Sequence, residues 1–241
     1  ALIDLAKPAA TAVTKRSELG PLREKAEAGD ADSQYDLALR YVFGDGVPQD
    51  YVKAIAWLRK AAEQNHSSAQ DSLGLRYKNG QGVKADPKQA AYWWRKAASQ
   101  GNKFAQNNLS DAYYNGQGVD KDLDEAIKWT KLAAEQGLAA AQAKLAWAYQ
   151  NGLGVAQDYA VAMKWYRSAT DQGNYGAQHN LALLYGNGQG VGRDISEALE
   201  LFESVAESDH RLNDSAAQQI KILRALIGAG VAPDFDLSDI E

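Results

Sequence analysis

The chain has no cysteine. Disulfides, thiolate metal ligands and a thiol nucleophile are therefore excluded, while the compartment stays open, since exported proteins often lack cysteine too. Histidine is scarce. His66, His179 and His210 stand far apart, without a His-Glu-x-x-His or other paired-ligand spacing, so no metal site is expected. Ser-x-x-Lys and Gly-x-Ser-x-Gly are missing, which removes the serine-hydrolase signatures. No catalytic residue and no cofactor can be named. No apolar run approaches the ~20 residues that span a bilayer. Positive charge is not in excess either: 26 Lys and Arg against 31 Asp and Glu leave a net charge of −5. That sign disfavours duplex nucleic acid, whose phosphates need clustered bases, and an anionic membrane surface.

What is present is a stretch that keeps returning. Tyr41-Val-Phe-Gly44-Asp-Gly46-Val47 runs on to Asp50, and the same frame leads to Asp86, Asp122, Asp158 and Asp194, a step of 36 without insertion. A fixed period in this range predicts stacked supersecondary units, each burying its apolar side on its neighbours. Within each unit Gln34-x-x-Leu37-x-x-x-Tyr41 and its copies read as one helix, with Leu and Tyr on one side. A small residue follows each Leu: Ala38, Gly74, Ser110, Ala146 and Ala182. The Gly-x-Gly-Val turn stops that helix through left-handed backbone, and its Val is expected to plug the hairpin. The Asp is an N-cap for a second helix, with Gln89, Glu125 and Glu197 placed to complete capping boxes. Gly-x-Gly here is turn chemistry, because the strand before and the Lys-Ser/Thr after a phosphate loop are missing.

The second helix carries Ala54-x-x-Trp57-x-x-x-Ala61-Ala62, an apolar stripe repeated with Trp93, Trp129 and Trp165. These four tryptophans are expected in the core. Trp94 and Trp147 fall off that position and are the expected surface aromatics. The units end at Asn65, Gly101, Gly137 and Gly173, residues that accept a left-handed stop.

The fold class is therefore all-α, a solenoid of five 36-residue helix-turn-helix repeats with a half-repeat cap at each end. Residues 1–29 form a lead-in and capping half-repeat around Leu22 and Ala26. Residues 30–209 hold the five repeats. Residues 210–230 form a capping helix with Ala216, Ile220, Leu223, Leu226 and Ile227 inward, and 231–241 an acidic tail. Ala1 in place of Met is compatible with a removed signal segment.

The string Gln-x-x-Leu-(small)-x-x-Tyr-x-x-Gly-x-Gly-Val-x-x-Asp-x-x-x-Ala-x-x-Trp-x-x-x-Ala-Ala-x-x-Gly resembles the Sel-one-like repeat, a relative of the tetratricopeptide repeat. Asn65 and Asp209 for Gly, and Leu201 for Trp, are local departures. The resemblance implies α/α hairpins in a right-handed superhelix. It also implies a non-enzymatic scaffold or adaptor for protein partners, often in bacterial envelope or signalling systems. By analogy with tetratricopeptide arrays the first helices line the concave face. That assigns as partner-binding Tyr35, Leu39, Asp71, Leu75, Lys78, Asn107, Asp111, Tyr114, Trp147, Gln150, His179 and Leu183, with Val42 and Gly186 at equivalent positions. These positions vary while the frame does not, as expected of a surface cut for one partner and equally of unselected surface; the large apolar Tyr35, Leu39, Tyr114 and Trp147 favour the first. The partner is a protein or peptide, not nucleic acid. The chain is expected to be monomeric by itself and exported to a bacterial periplasm, with the cytoplasm as the alternative. Two rival readings are an immunity protein that neutralises a secreted effector such as a lipase, and a cell-wall hydrolase, which lacks every expected motif.

Overall fold

The computed structural model describes residues 19–208 and 213–229. The lead-in, His210 and the acidic tail lie outside the described residues. Among the described residues there are twelve helices and no strand. The chain divides into two compact units, Ala1–Asp122 and Leu123–Glu241.

The first unit holds α1 (19–27), α2 (Ala31–Phe43), α3 (Tyr51–Glu63), α4 (Ser67–Asn79), α5 (Pro87–Ser99) and α6 (Lys103–Asn115). From α2 onward each helix packs on the next in chain order. The second unit holds α7 (Leu123–Glu135), α8 (Ala139–Asn151), α9 (Tyr159–Thr170), α10 (Tyr175–Asn187), α11 (Ile195–Ser208) and α12 (Asn213–Ala229), again packed in sequence. Both units are therefore stacked helical hairpins, and the chain is an all-α solenoid.

The turns behave as their residues dictate. Gly44, Gly80, Gly116, Gly152 and Gly188 end the first helices in left-handed backbone. The side chains of Asp50, Asp86, Asp158 and Asp194 accept backbone N–H groups of the helices they open. In all five repeats the backbone N–H of that Asp also donates to the carbonyl of the repeat Tyr, at 2.9–3.0 Å. Asn65 is the one non-glycine residue with positive φ among the described residues, as its place at a glycine position requires. The turn valines Val47, Val83, Val119 and Val155 are half-buried, whereas Val191 is exposed.

From the second repeat onward the second glycine of the turn does more than permit positive φ. It seats on the first turn of the preceding repeat's second helix. A Cβ on Gly82 would lie 2.2 Å from the Tyr51 carbonyl oxygen, and one on Gly118 would lie 2.0 Å from that of Pro87. Gly154 meets Leu123 and Ile127 in the same way, and Gly190 meets Tyr159.

Two ladders tie repeat to repeat. Arg23, Arg59 and Arg95 donate to the hydroxyls of Tyr41, Tyr77 and Tyr113 at 3.3, 2.7 and 2.8 Å. Arg167 donates likewise to Tyr185. In the fourth repeat Lys131 lies over the Tyr149 ring instead. The second ladder is amide. Gln34, Gln70, Gln106 and Gln142 are buried and donate to the carbonyls of Ala26, Ala62, Ala98 and Ala134. Gln64, Gln100 and Gln172 donate back to Gln34, Gln70 and Gln142. A buried amide left unpaired costs about 1–3 kcal/mol, so the glutamine is held by necessity. In the fifth repeat Gln178 turns to the Leu201 carbonyl.

Most of the repeat tryptophans lie at the edge of the core rather than inside it. Trp93 is buried, but Trp57, Trp129 and Trp165 are only half-buried. Lysine ammonium groups lie over three of these rings: Lys60 on Trp57, Lys96 on Trp93 and Lys128 on Trp129. The deepest layer is one residue on: Leu58, Trp94, Thr130, Tyr166 and Phe202 are all buried. Trp94 is thus corrected from surface aromatic to hairpin core, with 3% exposed. Its indole N–H donates to the Asp71 carbonyl at 3.3 Å, and a Cβ on Gly74 would fall 2.5 Å from that nitrogen. In α12, Ala216 and Leu223 are buried and Ile220 and Leu226 half-buried, but Ile227 is 51% exposed.

One indole shows what its neighbour lacks. The Trp129 N–H donates to Glu125 at 2.9 Å, whereas the Trp93 N–H is buried without a partner among the described residues. Gln89 occupies the position of Glu125 in that repeat. Gln89→Glu should supply the acceptor and place a carboxylate in the first turn of α5, a gain of about 1 kcal/mol in urea denaturation.

Candidate functional site

The candidate surface is the first-helix face, taken separately in each unit. In the first unit it belongs to α2, α4 and α6. Tyr35 is half-buried, with its ring 4.7 Å from that of His66. His66 caps α4: its Nδ1 accepts from the Ala69 N–H at 3.0 Å while its Nε2 faces the Asp32 carboxylate at 3.2 Å. This fixes the tautomer, with the proton on Nε2. Leu39 is half-buried beside Leu22 and the 73% exposed Phe43, in a shallow cleft that also contains the Arg40–Asp45 ion pair.

Asp71 and Leu75 are half-buried on α4. Burial pushes the Asp71 carboxyl above the usual carboxylate range, partly offset by the bond donated from Asn108 at 2.9 Å. Asp71 is therefore a strut between α4 and α6 as much as a surface group. Lys78 is exposed and reaches back over the Trp94 ring. Asn107 and Asp111 are half-buried on α6, and Tyr114 is 38% exposed with the Lys121 ammonium over its ring. Val42, expected on this face, is buried against Ala26, Leu37 and Tyr41, because α1 packs there.

In the second unit the face belongs to α8 and α10. Trp147 is 42% exposed. Gln150 is half-buried and accepts from the Tyr166 hydroxyl at 2.7 Å. Burial raises the pKa of that hydroxyl, so it stays a donor. His179 faces Ser215 of α12 at 3.1 Å and meets the Phe202 ring edge-on. Its pKa is lowered by burial, against a bond to Asn180. His179 is thus neutral and engaged in holding α12. Leu183 packs against the α10–α11–α12 core, and Gly186 is buried.

The structure brings Tyr35, Leu39, Asp71, Leu75, Lys78, Asn107, Asp111 and Tyr114 into one unit, and Trp147, Gln150, His179 and Leu183 into the other. The Arg23, Arg59, Arg95 and Arg167 series was missed by sequence reasoning. Its signal was available, since these residues also recur at the repeat step, 18 residues before each Tyr. Among the described residues no three of His, Asp and Glu gather as metal ligands, and no helix is long and apolar enough to cross a membrane.

Stacked helical hairpins built on an invariant 36-residue frame define a helical repeat protein. A Sel1 repeat model matches residues 31–66, 67–102, 103–138, 139–174 and 176–210. The chain belongs to the Sel1 repeat family, whose members are generally non-enzymatic scaffolds for protein interaction. A protective antigen of uropathogenic Escherichia coli strains, displaying an SLR fold, is similar at 38% identity and a TM-score of 0.80 over 89% of this chain. The match spans only 44% of that antigen's length. A Sel1 repeat protein from Oxalobacter formigenes is similar at 32% identity and a TM-score of 0.71, covering 76% of this chain and 75% of its own. No curated protein matches.

Proposed function

We propose that the chain is a non-enzymatic scaffold that docks a protein or peptide partner on its first-helix faces. One observation carries this reading: Tyr114 on α6 and Trp147 on α8 are 38% and 42% exposed, on helices whose repeat residues Leu109 and Leu145 are wholly buried. Neither aromatic is needed by the frame, since other repeats hold Val42, Lys78, Gln150 or Gly186 at the one position and Leu39, Leu75, Asp111 or Leu183 at the other. Exposed Tyr and Trp on a rigid helix anchor partners at low entropic cost.

The partner is captured from the native host with the unaltered chain, identified by mass spectrometry, and titrated against variants. Tyr114→Ala and Trp147→Ala should each weaken binding by at least ~2 kcal/mol while the urea midpoint stays in place. Unchanged binding by both variants removes these faces from the function.

A further inference from the structure

A second surface stands out on the other side of the hairpins, in the first unit. The end of α3 and the face of α5 form a cleft lined by Asn65, Tyr92, Arg95, Lys96, Ser99 and Gln100. It contains no acid. Tyr92 is 49% exposed, and the Lys96 ammonium lies 5.3 Å from its ring and 5.2 Å from that of Trp93. Arg95 gives one N–H to Tyr113. Neither Arg95 nor Lys96 forms an ion pair among the described residues.

Comparison along the repeats shows that this is a departure from the frame. The position of Ser99 is Glu63, Glu135, Asp171 and Glu207 in the other four repeats. In the first, third and fourth repeats that acid follows the ladder cation by four residues, a spacing that puts opposite charges on one side of a helix. Only the second repeat drops the acid, keeps both cations and adds an aromatic: the position of Tyr92 is Ala56, Lys128, Lys164 and Glu200 elsewhere. In a chain of net charge −5, the result is a local basic and aromatic cleft with no acid in its lining.

The geometry points to this cleft as a binding site for an acidic segment of a partner protein, one that carries carboxylates on either side of an apolar side chain. A carboxylate takes the place of the missing repeat acid and accepts from Arg95 and Lys96. The apolar side chain covers the Tyr92 ring. This site is independent of the first-helix faces.

The full chain, labelled with nitrogen-15, is titrated with N-acetylated, C-amidated Glu-Phe-Glu-Leu-Glu. Saturable shifts are expected in the Trp93 indole and in the amides from Tyr92 to Gln100. The charge-reversed peptide Lys-Phe-Lys-Leu-Lys should give none. Ser99→Glu restores what the other repeats have and should keep the urea midpoint or raise it, yet weaken the peptide by at least about fivefold through like-charge repulsion. Lys96→Gln should weaken it as well. Absent shifts, or equal affinity in Ser99→Glu, overturn the assignment. So does an oligothymidylate that displaces the peptide, since the cleft would then be reading phosphate.

Discussion

Gly118→Ala is expected to destabilise the first unit by about 3 kcal/mol or more. Two terms add. The backbone at Gly118 has φ +76°, which costs an L-residue roughly 1–2 kcal/mol. The new Cβ also lands 2.0 Å from the Pro87 carbonyl oxygen and 2.7 Å from the Lys88 nitrogen, both backbone atoms of α5. A flexible side chain could step aside; the first turn of a capped helix cannot. Gly101→Ala is the control, because φ there is +86° but nothing lies within 4 Å of the added carbon. It should cost only the conformational part, about 1 kcal/mol. Urea denaturation of the two variants separates the contact from the dihedral. Equal losses would mean that the turn does not seat on its neighbour.

Gly74→Ala should cost about 2 kcal/mol, although alanine is the better helix former by nearly 1 kcal/mol. The Cβ would stand 2.5 Å from the Trp94 indole nitrogen, whose N–H is tied to Asp71. Trp94→Leu alone should also destabilise, by about 2–3 kcal/mol, through the cavity left beside Gly74. Together the two changes recreate the combination at the equivalent positions of the first repeat, Ala38 and Leu58, both wholly buried. The double variant should therefore be more stable than either single one, with a coupling of at least ~2 kcal/mol in the cycle. Additive losses would show that the small residue and the core residue of a hairpin are not a matched pair.

These two cases mark what the sequence made legible and what it did not. The hairpins, stops and caps were readable because each rests on local chemistry repeated five times: Asp before a helix, glycine after one, Leu and Tyr four apart. The partner of Gly118 was not readable. Positive φ explained the glycine by itself, and Pro87 lies 31 residues back, in a contact that exists only once two repeats are stacked. Trp94 was misplaced for a related reason. Its neighbour Trp93 fills the recurring position, so Trp94 looked surplus, yet Leu58, Tyr166 and Phe202 one residue after the same position form the deepest layer.

The candidate site was legible as a set of register positions and no further. Helical spacing placed Tyr35, Asp71, Trp147 and His179 on first-helix faces. It could not say that Asp71 receives Asn108 from the next repeat, or that Ser215 of α12 meets His179. Both pairings depend on side chains from a different helix. Trp147 is 42% exposed on α8, one turn after the small Ala143 of the same helix.

The ladders also bear on how such a chain grows. Each ladder bond links groups that recur at the same 36-residue interval, so excising residues 67–102 would leave Arg59 facing Tyr113 and Gln106 facing the Ala62 carbonyl. The severed ladder bonds would find identical replacements, whereas the Asn108–Asp71 bond would be lost, since Tyr35 stands at the position of Asp71 one repeat back. The frame is therefore indifferent to copy number in its interior, and gene duplication can lengthen or shorten it without redesign. The fifth repeat departs from this interchangeability, because Glu203 stands in its arginine register and takes Arg224 of α12 as its partner.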